Sequence, residues 1–290
     1  MRILTILTMA ACLGAVLHAD NMVFDRGLPV INLNTADSSR SNVAWGDNPT
    51  PSSGFNWGYG DDFKFGVSGQ SYQITDLRVW IVGNAVGDPL STALSSLTLA
   101  GGLPGTTTSS SAACSSSTLT GGPCLDGSGI ATISTGSTSG DPNVSITPVK
   151  YADSSNYLNN SGGQNQLYQV DFLNLNWMVQ GDTSYAFFVL GVNGTPGNGT
   201  VSPYLSASNA AQSGSPQDGA DGLIWEFAQD SSNSSNNAMD QWNSLGNGWD
   251  KPSDINVQIF ATPEPSSILF LGTVVFFVGS LARRKYQHKG

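Results

Sequence analysis

Histidine is all but missing from this 290-residue chain: its two copies, His18 and His288, stand near the two ends, and the long body between them has none. Ser-His-Asp and Cys-His nucleophilic catalysis and the usual zinc sites need imidazole as base or ligand, so the body is excluded from all three. Glutamate is as scarce, with only Glu226 and Glu264. Between residues 20 and 265 there are six bases (Arg26, Arg40, Lys64, Arg78, Lys150, Lys251) against all 21 acids of the chain, a balance of −15. Such a surface repels phosphate backbones and anionic membranes, which excludes nucleic acid as a partner, and it keeps an exported protein soluble. Capped stretches of 3.6-residue apolar period are missing from the body, as is any internal repeat.

Cysteine is sparse too. Cys12 falls in the apolar N-terminal stretch, leaving Cys114 and Cys124 in the body, separated by nine residues. They sit inside a Ser/Thr/Gly-rich region from 101 to 140, and no charged residue occurs from Pro89 to Leu125. Such a segment is too poor in apolar residues to pack itself. In an oxidising compartment the pair is expected to form a disulfide, worth roughly 2.5 to 3 kcal/mol by chain entropy, less any strain. A redox role would call for closer spacing and a helix context.

What the body does contain is strand signal. Leu77, Val79 and Ile81 alternate with other residues, as do Tyr168, Val170 and Phe172, then Tyr185, Phe187 and Val189, then Ile255, Val257 and Ile259. Gly, Asn, Asp, Pro and Ser clusters such as Asn193-Gly194 and Asp218-Gly219-Ala220-Asp221-Gly222 punctuate them. A further strand is expected at Leu223 to Ala228, and one helical turn at Ala238 to Leu245. Short, evenly punctuated strands in a body of this size predict an all-β fold, an antiparallel β-sandwich of jelly-roll type, as one domain over residues 20–261.

Three chemistries are open to the body's side chains. Glu226 with Asp61 or Asp62 offers the carboxylate pair of a polysaccharide hydrolase, but Glu226 lies between Trp225 and Phe227, as a strand's solvent-side residue does. Among the seven tryptophans, Trp80, Trp177 and Trp225 fall within strand patterns and read as core. Trp57 with Tyr59, and Trp242 and Trp249, lie in loop-like Gly/Asn/Asp contexts, where exposed rings stack on sugars; these four are the candidate glycan contacts. Calcium ligands would come from Asp218 and Asp221, or Asp240 and Asp250, yet none follows a recognised calcium-loop spacing, and Asx turns account for the Asp-Gly pairs. No catalytic, cofactor-binding or metal-ligating residue is therefore assigned.

The two ends address the protein. Met1-Arg2, the apolar stretch Ile3 to Leu17 and small Ala19 read as a secretory signal peptide over residues 1–19. At the other end Thr262 leads into Pro263-Glu264-Pro265, an uncharged apolar run from Ser266 to Ala282, and Arg283-Arg284-Lys285. In lipid that run can satisfy its backbone only as a helix, and its 17 residues span roughly 26 Å, slightly short of a hydrocarbon core. The basic triplet stays cytoplasmic, so the body faces outward.

Those three parts in that order resemble the PEP-CTERM sorting signal of Gram-negative bacteria, here over residues 262–290. The resemblance implies that an exosortase-type membrane enzyme recognises Pro263, Glu264 and Pro265, cuts near them, and hands the body to the cell surface or the exopolysaccharide matrix. It implies a chain held in the inner membrane before processing and extracellular afterwards. Thr262 stands where that family often has Val, and residues 286–290 extend past its basic cluster. The reading from sequence is thus a noncatalytic exported surface or matrix protein. A glycan-binding module for exopolysaccharide is the first alternative, and a polysaccharide-active hydrolase the second.

Overall fold

The computed structural model describes residues 21–29, 41–44, 57–83, 89–103, 130–149, 157–158, 164–193, 203–209, 223–227, 239–243 and 253–263. Its strands are β1 (Asn21–Asp25), β2 (Ser41–Ala44), β3 (Trp57–Phe63), β4 (Ser71–Gly83), β5 (Leu94–Gly102), β6 (Ile130–Ser137), β7 (Val144–Val149) and β8 (Tyr157–Leu158). They continue as β9 (Gln164–Phe172), β10 (Trp177–Gln180), β11 (Tyr185–Asn193), β12 (Tyr204–Asn209), β13 (Leu223–Phe227), β14 (Met239–Asn243), β15 (Ser253–Ile255) and β16 (Val257–Pro263). The only helical element among the described residues is a 3-10 turn at Leu90–Thr92. The described residues are all-β, as their alternating patterns predict.

Every pairing between strands is antiparallel, and the strands form two sheets. The ten-stranded sheet is organised around β4, whose 13 residues are long enough to take two partners along each edge. Leu77 to Gly83 pair with β9 and Ser71 to Ile74 with β10 on one side. On the other side Tyr72 to Val79 pair with β16, and Ile81 and Val82 with β12. The six-stranded sheet runs β14-β13-β3-β11-β5-β6.

One hydrophobic core is shared by the two sheets. All twelve residues named above for their alternation lie in it, from Leu77, Val79 and Ile81 on β4 to Ile255, Val257 and Ile259 on β15 and β16. Phe63 of β3 sits at its centre, with ring centroids 5.4 Å from Trp177, 5.9 Å from Tyr185 and 6.2 Å from Phe24. Edge and tilted aromatic packing of this kind adds to the burial of large apolar surface.

Alternation understates the burial of β11. Between Tyr185, Phe187 and Val189 stand Ala186, Phe188 and Leu190, outside the shared core and yet 0% exposed. The strand is therefore covered on both faces, the condition that gives a continuous apolar run rather than an in-out pattern. Where a helical turn is expected, the described residues Met239 to Asn243 instead extend as β14 and pair with β13 residue by residue from Phe227 to Leu223. Five ladder positions outweigh the weak helix signal of one isolated turn.

No helix among the described residues is long and apolar enough to cross a membrane. Residues 1–19, the Cys114–Cys124 pair, the calcium candidates Asp218, Asp221 and Asp250, Trp249, and Glu264 onward with the 266–282 run and Arg283, Arg284 and Lys285 lie outside the described residues. For Trp225, Glu226, Asp240 and Trp242 only the backbone is described.

Candidate functional site

Trp57 and Tyr59 are not surface residues. They belong to β3, all of whose residues are buried, and are 1% and 0% exposed. Trp57 packs edge-on to Tyr59 at 5.1 Å and donates its indole N–H to the Pro203 carbonyl at 2.6 Å. Neither ring offers a face to a sugar, so both are withdrawn from the candidate glycan contacts. The glycines that made this stretch look like a loop have a packing reason. A Cβ on Gly60 would lie 2.3 Å from the Phe188 ring and 2.7 Å from the Phe187 carbonyl oxygen. Gly60 is there because Phe188 of the neighbouring strand needs the space. A similar exchange occurs at Gly101, where a Cβ would meet the Trp177 ring at 2.4 Å.

Sequence reasoning also passed over Arg26, which the structure places in a buried polar network. Arg26 is 1% exposed, Asp61 0%, Asp254 1% and Asp62 6%. The guanidinium donates from Nη1 to Asp61 Oδ2 at 2.7 Å and from Nη2 to the Asp62 carbonyl at 2.7 Å. Asp61 also accepts the Ile255 N–H at 2.6 Å and the Asp62 N–H at 2.8 Å. Arg26 thereby ties the end of β1 to β3, while Asp61 ties β3 to β15, and one side-chain pair locks the two sheets together. The fork geometry of arginine suits it to such a buried carboxylate.

The Arg26 guanidinium bonds the Asp61 carboxyl directly, and two further buried carboxyls, Asp62 and Asp254, act on that group's charge. Burial raises the Asp61 carboxyl well above the ordinary aspartate value; Arg26 pulls it down, Asp254 and Asp62 push it up again, and the Ile255 N–H lowers it. Next to this group Asn256 interrupts the β15-to-β16 run. Its N–H donates to the Ser206 carbonyl at 2.9 Å, and its Oδ1 accepts from Ser206 Oγ at 3.0 Å. Its amide nitrogen reaches the Gly27 carbonyl at 3.3 Å. The Asn256 N–H at the break is thus satisfied by a backbone carbonyl, as buried backbone requires, while its side chain bonds Ser206 and Gly27.

A second polar row crosses the ten-stranded sheet on the face away from the shared core. Asp25, Gln258, Arg78, Asp171 and Ser145 are successive cross-strand partners on β1, β16, β4, β9 and β7. Gln258 donates to Asp25 at 3.2 Å, Arg78 to Gln258 at 3.2 Å and to Asp171 through Nε, and Gln169 to Asp171 at 2.8 Å. The Arg78 guanidinium lies over the Phe260 ring at 5.4 Å. The Asp25, Gln258, Arg78 and Asp171 side chains hydrogen-bond in series, so the row acts as a brace across four strands.

Asp61 and Asp62, proposed as partners of Glu226 in a hydrolase, are therefore buried in the network around Arg26 and not lined along a cleft. The Glu226 backbone pairs with Tyr59 and Asp240. No group of three or more His, Cys, Asp or Glu among the described residues has the arrangement to hold a metal ion. Comparison with protein-family models, with curated proteins and with solved structures found no match to this chain.

Proposed function

We propose that the chain is a noncatalytic exported protein of the cell surface or extracellular matrix. Its body is a jelly-roll-like β-sandwich, carried out by the signal peptide at 1–19 and sorted through the tail at 262–290. The observation that carries this reading is the order Pro263-Glu264-Pro265, uncharged run 266–282, Arg283-Arg284-Lys285. It stands directly after the strand that completes the ten-stranded sheet, since β16 ends on Pro263. The burial of Asp61 and Asp62 supports a noncatalytic body, because glycoside hydrolysis needs two carboxylates facing one sugar ring. Exopolysaccharide is a partner of the surroundings; with Trp57 and Tyr59 in the core, direct sugar stacking would fall to Trp242 and Trp249.

The test is expression of the full chain in a host that carries an exosortase-type enzyme, with release into the medium measured by immunoblot. A Glu264→Ala, Pro265→Ala double variant is expected to remain with the membrane fraction while the parent chain is released. Equal release of the two would remove the sorting role of the motif.

A further inference from the structure

The last strand says which way the body faces while the tail is still attached. Thr262 of β16 lies in one cross-strand row with Gln73 of β4 and Met178 of β10, and Pro263 pairs with Tyr72. Only Glu264 and Pro265 separate Pro263 from the apolar run that starts at Ser266. Three Cα-to-Cα steps reach at most about 11 Å. The headgroup layer on one side of a bilayer is roughly 5 to 8 Å deep. A body whose final strand stops this close to the hydrocarbon edge has no slack to stand away from it.

The side chains at that end are unlike the rest of the acidic surface. Five large apolar residues are exposed among the described residues: Met22, Leu28, Val67, Leu103 and Met178. Single exposed apolar residues need no explanation, but the placing of four of these does. Val67, 65% exposed, lies in the β3-to-β4 turn, which is hydrogen-bonded to the β10-to-β11 turn through Gly181 and Gln70. Met178 shares the row of Thr262, and Leu103 follows Gly102, which pairs with Ala186 at the start of β11. Met22 pairs with Phe260, two residues further in along β16. Leu28 alone lies beyond the other end of β16, since Arg26 already bonds to Val257. The two charges of these turns, Lys64 and Asp182, pair with each other at 2.7 Å. In a body carrying −15, these two turns carry no net charge, which lessens their repulsion from anionic headgroups.

We infer that this end of the two-sheet body, presenting Val67, Met178 and Leu103, rests on the lipid headgroup surface until the tail is cut. The inference depends on the 266–282 run spanning the bilayer. The partner is a lipid surface, because the chain leaves the fold toward it across only two residues. The contact is weak by itself, so the body leaves the membrane once the tail is severed.

The full chain is reconstituted in phosphatidylethanolamine/phosphatidylglycerol vesicles with a photo-crosslinking residue at position Val67, at Met178, or at Leu28 as the distant control. All three are exposed, so the substitutions leave the core intact. Carbonate washing of the same vesicles tests the span independently. Retention with several-fold more lipid adduct at Val67 and Met178 than at Leu28 is the expected result. Retention with equal adducts at all three positions, with none, or with adducts to a second protein copy overturns the docking and leaves the span standing. Release of the chain by carbonate overturns both.

Discussion

At the scale of single residues the account turns on Arg26. Its partner Asp61 has no contact with solvent, and each of the hydrogen bonds described for that carboxylate comes from a donor. Removing the guanidinium leaves buried negative charge without its counter-ion, so Arg26→Ala is expected to lower stability by about 3 to 5 kcal/mol. The exposed pair of Lys64 with Asp182 is the contrast: Lys64→Ala should cost less than about 1 kcal/mol. Denaturant midpoints for the two variants check the difference. The same site sets a pH dependence. The folded Asp61 value lies above the ordinary 3.8, so between those two values the folded state keeps a proton that the unfolded chain has released. This group's contribution to stability is therefore greatest below 3.8 and declines as pH rises through the folded value. Asp61→Asn should flatten that part of the stability-against-pH curve; an unchanged slope would assign it to other groups.

At the scale of elements, β3 shows where sequence and structure part. Its Gly58, Gly60 and paired aspartates have the composition of a loop, and the residues facing the core, Trp57, Tyr59 and Phe63, are interrupted by Asp61. Period-2 reasoning sees turn residues; the fold uses Gly60 as clearance for Phe188 and Asp61 as an anchor for Arg26. Both partners are more than 30 residues away in sequence, so no local pattern could disclose them. β4, β9, β11 and β16 were legible because their apolar sets repeat every second residue against one core. The clearance is testable. Gly60→Ala is expected to cost about 1 to 3 kcal/mol through overpacking. Combination with Phe188→Leu should recover part of that loss in a double-mutant cycle, and simple additivity would show that Phe188 is not what Gly60 accommodates.

At the scale of the whole molecule, a shared core, an inter-sheet ion pair and a four-strand polar brace close the body at Pro263. The motif begins at the same residue. Among the described residues, the shared core and the buried pair lie before Glu264. The body's lack of histidine removes imidazole as its acid or base, and we propose that the tail supplies its address. The most direct test of that account is mass determination of the protein recovered from the medium of a host carrying an exosortase-type enzyme. The account predicts a chain that starts near Asp20 and ends close to Pro263-Glu264-Pro265, lacking the 266–290 segment. Recovery of a chain that still carries Arg283, Arg284 and Lys285 would contradict it.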